Sequence, residues 1–150
     1  MTMTFRFSLQ ALLRFQQTYE KRERLRLAVL NAEYARLQGR YQESDEQRSL
    51  IFGQLEERLR EGTAAGEFQF GAVLVQHAAQ QRSRIRRQMM ELEPQLRIQT
   101  AAYLDSQRKR KILDSLRERQ LRAFELDENR REQQRIDDLF SIRRLHQSRG

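Results

Sequence analysis

The sequence predicts an all-α protein: an antiparallel two-helix coiled-coil hairpin with a longer second helix. Three observations carry this. The chain is 33% charged, has one proline and no tryptophan, and is dominated by Arg, Glu, Gln and Leu, a composition typical of long helices and coiled coils. Its apolar residues recur at alternating spacings of three and four. A glycine cluster, Gly62-Thr63-Ala64-Ala65-Gly66 with Gly71 beyond, separates two such periodic segments. Glycine in a helix interior costs about 1 kcal/mol relative to alanine, so a cluster of it reads as punctuation. The expected organisation is one rod over residues 1–150. Helix one covers about 8–60, the tip about 61–67 and helix two about 68–146.

In the first helix the repeat is regular from Leu27. Leu27, Tyr34, Tyr41, Arg48 and Leu55 occupy one seam position, and Leu30, Leu37, Ser44, Ile51 and Arg58 the other. Leu9, Leu13, Gln16, Glu20 and Glu23 continue the seam backward, with polar residues at the last three. Phe15 and Tyr19 fall off it, which implies a local stutter or a second apolar face. Ser8 is the expected N-cap. The apolar start, Phe5, Phe7, Leu9, Leu12 and Leu13, has two readings: coiled-coil core, or an exposed end that docks into a partner.

The second helix carries Ala78, Ile85, Met89, Leu92, Leu96, Tyr103, Leu113, Leu116 and Phe124 at spacings mostly of three, four or seven. Pro94 is the rival position for the turn. Leu92, Leu96 and Tyr103 keep phase across it and no Gly or Asn flanks it, so a bend is expected there rather than a reversal. With the turn at 62–66, Ser8 lies beside a residue near 120. Residues beyond about 123 then overhang, with Ile136, Leu139, Phe140, Ile142 and Leu145 lacking an intramolecular partner.

The formal net charge is +8. Residues 76–111 hold nine basic and three acidic residues, and residues 125–138 hold three basic and six acidic ones. A basic balance favours acidic partners, but most of these charges read as a solvated coiled-coil face. Arg82, Arg84, Arg86, Arg87 and the run Arg108-Lys109-Arg110-Lys111 offer phosphate contacts, yet they do not form one continuous groove and have no interleaved aromatics. A nucleic-acid-binding coiled coil is therefore a weak alternative, and peripheral membrane binding a weaker one, since no long face combines a strong apolar stripe with flanking cations.

No cysteine is present, and the two histidines, His77 and His146, stand far apart. No phosphate-binding loop, dinucleotide fingerprint or metal motif occurs. The expectation is no catalytic, cofactor-binding or metal site, and not an enzyme. No apolar run reaches membrane-spanning length, and Met1–Tyr19 lacks the apolar stretch of a secretory signal. The expected compartment is the cytoplasm.

Two stretches resemble a known family. The opening Phe5-Arg6-Phe7-Ser8-Leu9-Gln10-Ala11-Leu12-Leu13 is similar to an F-x-F-x-L-x-x-L-L start. The run from Arg108 through Leu113, Leu116, Glu118 and Arg119 to Gln120, followed by Glu128-Asn129-Arg130 through Gln133, Gln134, Ile136, Asp137 and Asp138, is similar to a C-terminal pattern. Both resemble the flagellar export-apparatus stalk family, FliJ. Gln134 stands where the family usually has Lys, and Asp138 where it has Glu.

The resemblance implies a non-enzymatic stalk of the flagellar type III export ATPase, peripheral to the inner membrane at the flagellar base. Implied partners are the hexameric export ATPase, the cytoplasmic domain of the export-gate membrane protein, and export chaperones. The ATPase contact falls on Phe5, Phe7, Leu9, Leu12, Leu13, Glu128, Asn129, Arg130, Gln133, Ile136, Asp137 and Phe140. The gate contact falls on Leu74, Ala78, Gln81 and Ile85, with Tyr34, Leu37 and Tyr41 across the seam; those three also read as ordinary seam residues. Some members carry an aromatic at Leu74 and Leu at Ala78. The alternative is a coiled-coil stalk or adaptor of a non-flagellar type III secretion system.

Overall fold

The computed structural model of the chain describes residues 4–62 and 64–149. Two helices, α1 (Gln10–Glu61) and α2 (Ala65–Ser148), pack against each other as an antiparallel hairpin, with α2 the longer. α2 runs unbroken through Pro94, so the reversal lies at the glycines. The turn is tighter than the seven residues predicted. Gly62 takes φ 78°, the left-handed conformation that ends helices and that glycine alone enters freely. The Ala64 carbonyl already accepts from the Glu67 and Phe68 amides at 3.1 and 3.3 Å. Gly66 therefore sits inside the first turn of α2, and Thr63 lies outside the described residues.

At the other end α1 begins at Gln10, so Leu9, not the predicted Ser8, precedes it. Phe5 and Phe7 lie before the helix. Their side chains are nonetheless covered, because the Phe7 carbonyl takes the Gln10 amide at 3.1 Å and the chain turns back over the first turn.

The chain divides into two compact units: Met1–Lys21 with Asp105–Gly150, and Arg22–Leu104. In the first, Phe7, Leu13 and Leu113 form a buried cluster with Phe5 and Leu116 packed on it. Phe7 and Leu13 are brought together as in a hydrophobic staple. The Phe5 and Phe124 rings meet at 5.6 Å and 53°. Ser106 is fully buried, a small residue where the helices leave no room for a large one.

In the second unit every helix-one residue assigned to the seam from Leu27 to Leu55 is buried or half-buried, and only Arg58, next to the turn, is exposed. Leu37, Ser44, Ala78 and Ile85 form its dry line. Polar pairs cross the seam. Gln99 donates from Nε2 to the Glu23 carboxylate and, at 3.1 Å, to the Glu23 carbonyl. Tyr34 donates to Glu93 at 3.3 Å, and Arg82 to the Tyr41 hydroxyl at 2.7 Å.

Gly71 lies inside helix two, as the expected bounds place it, but for a reason that the sequence does not give. It is a buried helical residue, and an added Cβ would overlap Leu55 Cδ2. A close helix–helix approach, not chain reversal, accounts for this glycine.

The helical glycines give a first prediction. Gly39 and Gly53 sit mid-helix with nothing near an added Cβ. Gly39→Ala and Gly53→Ala should each stabilise by about 0.5–1 kcal/mol in urea unfolding. Gly62→Ala, forced to a positive φ, should cost about 1 kcal/mol.

Candidate functional site

The residues assigned to contacts fall into two sets, one in each unit. The first set starts with Phe5, Phe7, Leu9, Leu12 and Leu13. Phe7 and Leu13 are core, at 7% and 2% exposure, while Leu9 and Leu12 face solvent at 37% and 44%. This start is thus divided: Phe7 and Leu13 are core, and Leu9 and Leu12 are exposed. Phe15 and Tyr19, off the seam as expected, are exposed and stack on each other at 6.2 Å.

The C-terminal half of the set lies where α2 loses cover. Phe124 and Glu128 are half-buried, and every described residue from Asn129 to Arg149 is exposed. Ile136, Leu139, Phe140, Ile142 and Leu145 are between 46% and 66% exposed. Ile136, Leu139 and Phe140 are spaced three and four apart, on one side of the helix. The acidic stretch beside them is laced by local pairs: Arg131 with Asp127 at 3.2 Å and with Glu128 at 3.8 Å, and Gln133 with Asp137 at 3.3 Å. Exposed i,i+4 pairs hold side chains loosely and leave them exchangeable with a partner's charges.

Between these two stretches lies the strongest polar contact in the unit. Glu20 is 8% exposed. Its carboxylate takes two donors from Arg110, Nε and, at 3.3 Å, Nη2; Arg110 also donates from Nη1 to Asp114 at 2.7 Å. These bonds, the Glu20 one first, hold the Arg110 guanidinium firmly protonated.

The second set is mixed in the same way. Leu37, Ala78 and Ile85 are buried at 9% or less, so they are seam residues. Tyr34 and Tyr41 are half-buried with their hydroxyls engaged, while Gln81 and Leu74 face outward, Leu74 at 41%. Sequence reasoning assigned no role to Phe52, Phe68 and Phe70, which are 45%, 45% and 66% exposed in this unit. Their signal was available: they are aromatics off the heptad positions, and no core claims them.

Among the described residues no cluster of metal-ligating side chains occurs, and no helix is long and apolar enough to cross a membrane. The arrangement offers side chains for contact along helix faces, with a free helix end that has apolar residues on it. The fold defines a two-helix coiled-coil hairpin protein. More specifically, the chain belongs to the family described as flagellar FliJ protein, whose family model matches residues 5–150. That family is non-enzymatic and associated with the flagellar export apparatus. No curated protein and no solved structure matches the chain.

Proposed function

We propose that this protein is a central-stalk and coupling component of the flagellar type III export ATPase complex. It links the hexameric export ATPase to the cytoplasmic domain of the export-gate membrane protein and helps export chaperones cycle. It works in the cytoplasm, peripheral to the inner membrane, without hydrolytic activity of its own. The observation that carries this is the end of α2, where apolar side chains on a charged helix are 46% to 66% exposed. Membership of a flagellar family favours this over the non-flagellar secretion stalk.

In this reading Leu9, Leu12, Asn129, Arg130, Gln133, Ile136, Asp137 and Phe140 meet the ATPase. Phe5, Phe7 and Leu13 hold that end together from within, and Glu128, paired along α2 with Arg131, meets the ATPase at its edge. Leu74 and Gln81, with the edges of Tyr34 and Tyr41, meet the export gate over a floor of Leu37, Ala78 and Ile85. Interleaved charges suit a stalk that must touch several ATPase subunits without gripping one, because exposed ion pairs contribute little each.

The test is capture of the purified export ATPase by three forms: the full chain, a chain ending at residue 124, and Ile136→Ser with Phe140→Ser. Both altered forms should lose about tenfold or more in affinity. Their urea midpoints should stay close to that of the full chain, since residues 129–149 are exposed. Undiminished capture by the shortened chain would overturn the assignment, as would ATP hydrolysis by the pure protein.

A further inference from the structure

We propose that a cleft in the Arg22–Leu104 unit is a docking site for an acidic peptide segment of a partner protein. Tyr41, Arg48, Arg82, Ser83 and Arg86 line a space of about 190 Å³. The inference rests on the reading of the surface around Tyr41 and Gln81 as a partner contact, and it names the chemistry of that partner.

The three arginines are not equivalent. Arg82 is a fixed wall. It donates to the Tyr41 hydroxyl at 2.7 Å, faces Asp45 at 3.5 Å and lies over the Tyr41 ring at 4.9 Å. Its Nε is buried without a hydrogen-bond partner. The Arg48 guanidinium rests over the Phe52 ring at 5.6 Å, which limits its swing. Among the described residues neither Arg48 nor Arg86 makes a hydrogen bond or an ion pair. Asp45 is the carboxylate paired at the cleft, and it is already engaged by Arg82. Three arginines and Ser83 therefore border one space, two of the arginines without a carboxylate of their own, and carboxylate side chains are the group whose planar geometry arginine matches in pairs.

A nucleic-acid strand fits less well. A strand needs cations spaced along a line and open aromatic faces for its bases. Here three arginines border one short cleft, and Arg82 covers one face of Tyr41.

The experiment is fluorescence anisotropy with the full chain and a labelled decapeptide of glutamates spaced by glycine and serine. Its glutamine counterpart, inorganic phosphate and a single-stranded oligothymidine serve as comparison probes. Arg48→Gln with Arg86→Gln should weaken glutamate-peptide binding about tenfold or more. Arg108→Gln with Arg122→Gln removes the same charge from exposed positions of the other unit and should change it by less than about twofold. Equal weakening by both pairs would reduce the effect to net charge and overturn the site. So would equal binding of the glutamine peptide, preference for phosphate, or tighter binding of the oligonucleotide. Capture of the export gate's cytoplasmic domain separates the two claims. Glutamate-peptide binding lost in the Arg48/Arg86 variant, without gate capture, keeps the docking site and removes the gate assignment. Gate capture indifferent to that variant overturns the docking site and keeps the gate assignment.

Discussion

Leu13→Ala is expected to cost about 3 kcal/mol of unfolding free energy, while Leu12→Ala, one residue away, should cost less than about 0.5 kcal/mol. Leu13 is 2% exposed and shares a buried apolar cluster with Phe7 and Leu113; Leu12 is 44% exposed. A hairpin of two helices has no second layer to fill a vacated site, so the cavity term adds to the lost transfer energy. The readout is urea unfolding followed by circular dichroism, with amide exchange over residues 5–20 and 108–124. Exchange there should accelerate in Leu13→Ala because that end opens first. If Leu12→Ala proved the costlier change, the face assignment of the first turn would be wrong. The contrast matters for function as well. A defect in ATPase capture caused by Leu13→Ala is expected to track unfolding, whereas one caused by Leu12→Ala is expected to leave stability intact.

The seam of both helices was legible from the sequence because it depends only on period. The alternation that starts at Leu27 named residues that are covered, Arg58 beside the turn excepted, and Ala78, Ile85 and Leu113 in α2 are buried as their phase requires. The backward extension held at Leu13, Gln16, Glu20 and Glu23, although two of these are carboxylates, and failed at Leu9, which precedes the helix and is 37% exposed. The reversal at Gly62 was legible because glycine carries a conformational meaning of its own. Three details were not. Phe5 and Phe7 precede the helix, where periodicity has no phase to report, so only the folded chain separates Phe7 inside from Leu9 outside. Gly71 signals close approach with the same letter that signals a turn. The contact sets mixed core and surface because a family pattern marks positions that matter without saying which way they point: Leu37 and Ile85 point in, Leu74 and Gln81 out.

Glu20→Ala should cost about 2–3 kcal/mol, nearly as much as losing a core leucine. The substitution removes the acceptor of two Arg110 donors and leaves a half-buried guanidinium with Asp114 alone. By contrast, Lys109→Ala, which breaks an exposed pair with Asp105 at 3.2 Å, should cost less than about 0.5 kcal/mol. Replacing both partners gives the opposite result. Glu20→Leu with Arg110→Leu should be at least as stable as the natural chain, because two apolar side chains fill the seam without a desolvation penalty. What the double change is expected to lose is register. A leucine pair accepts a slipped alignment, whereas a buried ion pair does not, since slippage leaves both charges unmatched. The cysteine-free chain permits clean labelling, so spin labels at exposed Gln17 and Lys111 would report the register as a distance distribution. It should be narrow in the natural chain and in Lys109→Ala, and broad or split in the double-leucine form. A distribution that stays narrow in that form would mean that Phe7, Leu13 and Leu113 set the alignment alone. The Glu20–Arg110 pair would then contribute stability to its unit and nothing to its specificity.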